Sequence, residues 1–295
     1  MTTSTAPADD LPGAPAPERL LVPGPHGEVP LRVHRGSGAG ALLWCHGGGF
    51  VHGDLDMPEA DWVARRLVER TGSTVVTVDY RLATEGTAAR WPVRWPVPSD
   101  DVLAAWAWTT GADRPWAGGS TVLGGASAGA NLATGAVLRV LAGDRPLPVP
   151  AGLLLVYPTL HLDGPAPSPE LAHALAQLPP EQRFGADVVR SIYGHLLGVQ
   201  HLQEPPVAAV PGLAGPEELR ELPPTLVLLS EVDGLRPSGE AFAGTLRAAG
   251  VPVQVHTEPG TRHGHLNEPE HPGAGRSIEV IATWARERTA AGGAG

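Results

Sequence analysis

The sequence predicts an α/β protein built on a parallel sheet covered by helices on both faces, and three observations carry that reading. Short apolar runs alternate with longer helix-patterned ones along most of the chain. The short runs suit strands buried on both faces, and the helical segments between them are long enough for right-handed crossovers. The rhythm breaks once, over about residues 163–206, where two helix-like pieces occur without a strand.

Four buried strands are expected in the first part of the chain: ALLWC (41–45), STVVTV (73–78), STVLGG (120–125) and GLLLVY (152–157). Between them, EADWVARRLVERTG, SDDVLAAWAW and AGANLATGAVLRVLAG read as helices. The first two begin on acidic or Ser/Asp residues, and the first and third end at glycine. The pattern resumes with PTLVLLS (224–230) as strand, PSGEAFAGTLRAAG (237–250) as helix, VPVQVHTE (251–258) as strand and RSIEVIATWARERT (276–289) as helix. That last helix puts Ile278, Ile281, Ala282 and Ala285 on one face, the spacing of a core-facing stripe. Residues 1–18, rich in Ala, Pro, Thr and Asp, read as a loose arm. No fixed-period repeat occurs, which disfavours a solenoid or propeller.

The 295 residues allow two domains, or one α/β domain carrying an insertion. A formal charge of −10, no Lys and no long run of like charge disfavour binding to nucleic acid or an anionic membrane. The one cysteine, Cys45, lies in an apolar strand and reads as a buried thiol. No signal peptide and no apolar span of membrane length is visible, so a cytoplasmic protein without stable membrane insertion is expected. Twelve His show neither H-E-x-x-H nor clustered Cys/His spacing, so neither a metal nor any other cofactor is expected.

The segment GGASAGANLA (124–133) places Ser127 in a G-x-S-x-G pattern between a strand and a helix. A strand, sharp turn and helix hold a nucleophile in a strained backbone, with Gly125 and Gly129 where the two elements crowd too closely for a Cβ. A serine hydroxyl needs a base, and the base an orienting acid. In this architecture the acid follows a late strand and the histidine the last one. Asp233 and His263 occupy those places, with Glu231 and His265 as rivals two residues away. The glycine run in LLWCHGGGFVHGD follows a strand. There Gly48 and Gly49, with Ala128 after the serine, can offer backbone N–H groups to a developing oxyanion.

Taken together, HGGGFVHGD, VDYRLA, GGASAGANLA, VYPTL, DGLRPSGEAFAGTLRAAGVPV and HGH, in this order over about residues 28–288, resemble the hormone-sensitive-lipase-like α/β-hydrolases. The resemblance implies a mostly parallel eight-stranded sheet flanked by helices, with a helical cap. It divides the chain into an N-terminal arm (1–28) contributing to the cap, a core (29–162 and 207–295) and an inserted helical cap (163–206). It further implies a triad of Ser127, Asp233 and His263, an oxyanion hole of Gly48, Gly49 and Ala128, and supporting roles for His46 and Asp79-Tyr80-Arg81. The chain departs from family habit at Thr84-Glu85-Gly86, Ala126, His265 and Pro237, close to the expected site.

The expected reaction is hydrolysis of a small-molecule carboxylic ester with a short to medium acyl chain, through an acyl-enzyme on Ser127. Phe184, Val188, Ile192, Tyr193 and Leu196, at helical spacing in the cap, are expected to line the acyl pocket. Two rival readings keep the fold: a dehydratase, amidase or acyltransferase, and a small-molecule receptor, the latter disfavoured by the presence of His263. Oligomeric state stays open between a monomer and a homodimer paired near the last strand and helix, as similar enzymes pair.

Overall fold

A computed structural model describes residues 16–87 and 91–290. Eight strands form one sheet: β1 (Glu18–Val22), β2 (Val29–His34), β3 (Ala41–Cys45), β4 (Thr74–Val78), β5 (Thr121–Ala126), β6 (Leu153–Val156), β7 (Thr225–Val232) and β8 (Val253–Arg262). Their order in space is β1-β2-β4-β3-β5-β6-β7-β8. The strands from β3 onward are parallel, whereas β2 runs antiparallel to both β1 and β4.

Alternation along each inner strand sorts the core into two layers. In β3, Leu42 and Trp44 face one way and Ala41, Leu43 and Cys45 the other. The first layer is closed by α1 (Asp61–Thr71) and α8 (Pro272–Thr289), whose Ile278, Ile281, Ala282 and Ala285 are buried as their spacing predicts. The second is closed by α2 (Val97–Thr109), α3 (Ala128–Leu141) and α7 (Arg236–Ala248). Residues 163–206 carry α4 (Pro169–Ala176) and α5 (Ala186–Leu197), which lead to the short α6 (Pro216–Leu219) before β7.

Two corrections concern the sequence reading. Residues 18–22 do not join the cap: they are the edge strand β1, folded onto β2 by a turn in which Gly24 and Gly27 exchange backbone hydrogen bonds at 3.1 and 3.2 Å. Gly27, with φ of 108°, permits that turn. The earlier part of the arm lies outside the described residues. β2 escaped notice because its apolar pattern is interrupted by Arg32 and His34. Both are buried, Arg32 bonding Asp61 at 2.9 Å and also Asp56. The second correction is the start of α8, four residues before Arg276. Pro272 opens the helix, where its missing N–H costs nothing, and His271 Nδ1 accepts from the Gly273 N–H at 3.1 Å.

Candidate active site

β5 ends at Ala126, and α3 begins at Ala128, so the whole turn falls on Ser127. Its φ of 50° and ψ of −116° are strained for a residue with a side chain. The neighbouring glycines make the turn feasible. A Cβ on Gly125 would lie 2.5 Å from the Cys45 carbonyl oxygen, and one on Gly129 only 2.1 Å from the same atom. The β3 and β5 backbones therefore meet at the elbow, and the serine hydroxyl emerges beyond the sheet.

The two later loops converge on that hydroxyl. Ser127 Oγ lies 3.0 Å from His263 Nε2, and His263 Nδ1 lies 2.8 Å from Asp233 Oδ2. Asp233 Oδ1 accepts the Leu235 N–H at 2.8 Å, which fixes the carboxylate's orientation. Burial draws the His263 imidazole toward its neutral form, but the charge and hydrogen bond of Asp233, with the charge of Glu59, outweigh it and hold the pKa above its ordinary value. The Phe184 ring packs against His263 at a centroid separation of 4.2 Å, and Tyr157 meets its edge at 5.0 Å.

The rivals point elsewhere. His265 hydrogen-bonds Ser230 Oγ at 3.0 Å and Ser277 Oγ at 2.8 Å, while the Glu231 carboxylate accepts the Gly260 N–H at 2.8 Å. Burial pushes the His265 pKa down to about 4, so this ring is neutral at pH 7.

Gly48 and Gly49 have φ of 114° and 59°, and a Cβ on Gly48 would sit 2.0 Å from the His52 carbonyl oxygen. Among the described residues, the N–H groups of Gly48, Gly49 and Ala128 have no partner within the chain. Gly47 differs, because its N–H donates to Glu59 Oε1 at 2.5 Å. His46 stacks on Tyr80 at 4.4 Å, and the Tyr80 hydroxyl donates to the His46 carbonyl at 2.8 Å, bracing the loop from beneath. Arg81 pairs with the buried Asp101 and reaches the Glu28 carbonyl, so this group supports the frame rather than the cleft.

A cleft of about 750 Å³ joins Gly48, Gly49, Ser127 and His263 to Phe184, Val188 and Ile192 of the cap segment. Tyr193 is a correction: its ring is fully buried beneath α5, and its hydroxyl accepts from Asn131 Nδ2 at 3.0 Å and donates to the Thr159 carbonyl at 3.1 Å. It anchors the cap, and Leu196 is likewise core. The period that identified the apolar stripe of α5 could not separate the residues facing the cleft from those one position further round.

Sequence reasoning missed Glu59 and Asn267, both on the wall of this cleft. Glu59 read as an acidic helix start, but α1 begins at Asp61, leaving Glu59 before the helix and 1 % exposed. Nothing in its local pattern marks it. Among the described residues, no group of acidic, His or Cys side chains is arranged to hold a metal ion, and no helix is long and apolar enough to cross a membrane.

An eight-stranded, mostly parallel sheet with a serine on a strained elbow, a histidine after the last strand and an acid after the strand before it defines an α/β-hydrolase. Residues 42–267 match the model of an α/β-hydrolase-fold family, and the chain belongs to the hormone-sensitive-lipase-like α/β-hydrolases, as an enzyme of that family. Its relatives include the esterase LipI of Mycobacterium tuberculosis, 32 % identical over 87 % of this chain and 78 % of LipI. Ethyl acetate hydrolase of Pseudomonas putida is 31 % identical over 80 % of this chain and 70 % of its own length. Among solved structures, an esterase of Pyrobaculum calidifontis superposes with a TM-score of 0.77 at 29 % identity, covering 93 % of this chain and 86 % of that one.

Proposed function

We propose that the protein hydrolyses small carboxylic esters through an acyl-enzyme on Ser127. The observation that carries this reading is the line from Ser127 Oγ through His263 to Asp233, at 3.0 and 2.8 Å, beside three backbone N–H groups that have no partner among the described residues. His263 Nε2 takes the hydroxyl proton as Ser127 Oγ attacks the ester carbonyl. Asp233 holds the imidazole with its proton on Nδ1 and favours the cation that forms. The oxyanion is received by Gly48, Gly49 and Ala128, each such donor typically contributing about 3–4 kcal/mol in the transition state. His263 then returns the proton to the departing alcohol oxygen, and water repeats the sequence on the acyl-serine.

The names of LipI and of the Pseudomonas ethyl acetate hydrolase support ester hydrolysis. The cleft volume and its apolar wall of Phe184, Val188 and Ile192 support a short to medium acyl chain. The test is turnover of p-nitrophenyl acetate and butyrate by wild type and Ser127→Ala, with fluorophosphonate labelling of both. The expected result is turnover and labelling in wild type alone. Undiminished hydrolysis by Ser127→Ala would overturn the nucleophile, and a wild type that neither turns over nor labels would leave the receptor reading in its place.

A further inference from the structure

Glu59 is a buried carboxyl on the wall of the cleft that takes no step in the hydrolytic cycle. Its backbone is pinned at both ends: the N–H donates to Asn267 Oδ1 at 3.1 Å, and the carbonyl accepts the Trp44 indole N–H at 2.8 Å. The side chain lies on the wall of the cleft that holds Ser127 and His263. There Oε1 receives the Gly47 N–H at 2.5 Å, and Oε2 receives the Tyr157 hydroxyl at 2.5 Å and Asn267 Nδ2 at 3.2 Å. Because Asn267 Oδ1 already accepts the Glu59 N–H, its amide can only donate to the carboxylate. Two of the three partners are obligate donors and the third a hydroxyl free to donate, a set that suits an ionised carboxylate.

Burial raises the Glu59 carboxyl above its ordinary range, and the hydrogen bonds from Tyr157, Gly47 and Asn267 and the charge of His263 oppose that rise. An isolated buried carboxylate is costly, and His263 is the basic side chain whose charge acts on it. The other titratable groups around the pair are Asp233 on His263 Nδ1, Tyr157 and Tyr80, both kept neutral by burial, the neutral His265 against Tyr157, and His52, Asp187 and His195 on the wall of the same cleft.

We infer that Glu59 is a positioning residue of this site, acting in two ways. Its carboxylate tethers the oxyanion loop at Gly47, and it supplies a second negative charge, besides Asp233, that favours the His263 imidazolium formed during acylation. The tether also explains the division of labour in the glycine run. Gly47 is engaged by Glu59, which leaves Gly48 and Gly49 to face substrate. The inference rests on the hydrolytic reading above.

Two substitutions separate charge from tether. Glu59→Gln keeps an oxygen for the Gly47 N–H but removes the charge, whereas Glu59→Asp keeps the charge and draws it back by one methylene. Each is measured by kcat and KM for p-nitrophenyl butyrate across pH, and by NMR titration of the His263 imidazole nitrogens, which needs no turnover. For Glu59→Gln the His263 midpoint and the acid limb of kcat/KM should both move to lower pH by about half a unit or more, because removing a nearby negative charge disfavours the cation. Its kcat should fall roughly tenfold with KM within about threefold. Glu59→Asp should leave the His263 midpoint near wild type while kcat falls.

A Glu59→Gln enzyme with unmoved His263 titration overturns the charge role, whatever its activity. A Glu59→Asp enzyme within about twofold of wild-type kcat overturns the tether. If Glu59→Gln does not fold, Glu59→Asp and the wild-type titration still decide: a His263 midpoint at or below the free-imidazole value in wild type overturns the charge role. Failure of the hydrolytic reading looks different, since wild type would then turn over no ester while the His263 titration still reported on Glu59.

Discussion

His263 and His265 stand two residues apart and both meet the Tyr157 ring, yet they bond differently: one reaches Ser127 Oγ at 3.0 Å, and the other is held between Ser230 and Ser277. Gly264, with φ of 78°, sits between them where the chain turns. Their substitutions should separate accordingly. His263→Ala should lower kcat by roughly 10³-fold or more, as loss of a triad base does. His265→Phe should keep kcat within a few-fold but lower stability by about 1–3 kcal/mol, because two buried serine hydroxyls lose a partner. Steady-state kinetics and urea unfolding check the pair.

Acid should weaken the fold through His34 and His265. His265 and His34 each have a pKa pushed down to about 4, burial being the main cause in both. Below the unfolded-chain value of about 6.5 the unfolded state binds the proton more readily, so stability is intact above that pH and declines toward pH 4. Unfolding free energy measured at pH 7, 6, 5 and 4.5 should decline, and His265→Phe should flatten the slope. A slope unchanged in the variant would show that His265 does not contribute.

Gly129→Ala should not be tolerated. Its Cβ would fall 2.1 Å from the Cys45 carbonyl oxygen and 2.4 Å from that of His46, so backbone must move against backbone. A loss of at least about 3 kcal/mol is expected, together with loss of fluorophosphonate labelling at Ser127. Gly143→Ala is a weaker comparison: nothing lies within 4 Å of its Cβ, and only its φ of 77° opposes the change. Thermal unfolding of the two variants should show the larger drop at Gly129.

Ile192 approaches the position a Cβ on Gly49 would take to within 3.5 Å, so it stands over the oxyanion loop. Ile192→Trp should shrink the cleft and penalise hexanoate relative to acetate by roughly tenfold or more in kcat/KM, since each methylene excluded from a pocket counts for about 1–3 kcal/mol. Equal loss on both esters would place Ile192 away from the acyl chain.

Tyr193→Phe tests the anchoring role given to that ring. Asn131 Nδ2 keeps the Thr159 and Ala209 carbonyls as acceptors at 2.9 and 3.1 Å, so a stability loss of about 1 kcal/mol is expected with KM unchanged. A changed KM would return Tyr193 to the substrate cleft.

What was legible in the sequence follows the physics of each element. The inner parallel strands are mostly apolar and bounded by turns, and the G-x-S-x-G and H-G-G-G segments are local: their chemistry is written in consecutive residues. β1 and β2 were illegible because β2 buries Arg32 and His34, whose partners in α1 and the loop before it are distant in sequence. Glu59 was illegible for a related reason. A lone carboxylate becomes informative only when Gly47, Tyr157 and Asn267, brought from three other segments, close around it. Tyr193 was misplaced because helical period gives a stripe about a third of a turn wide, and a cap helix has two apolar neighbours, the substrate cleft and the core.

The Cys45 carbonyl leaves no room for a side chain on Gly125 or Gly129. The His46–Gly49 loop leaves the sheet at Cys45, and Ser127 lies two residues past Gly125, the residue in register with Cys45 on the adjacent strand. The two segments therefore start one strand spacing apart, about 4.8 Å, and Glu59 and Tyr80 hold the loop that follows Cys45.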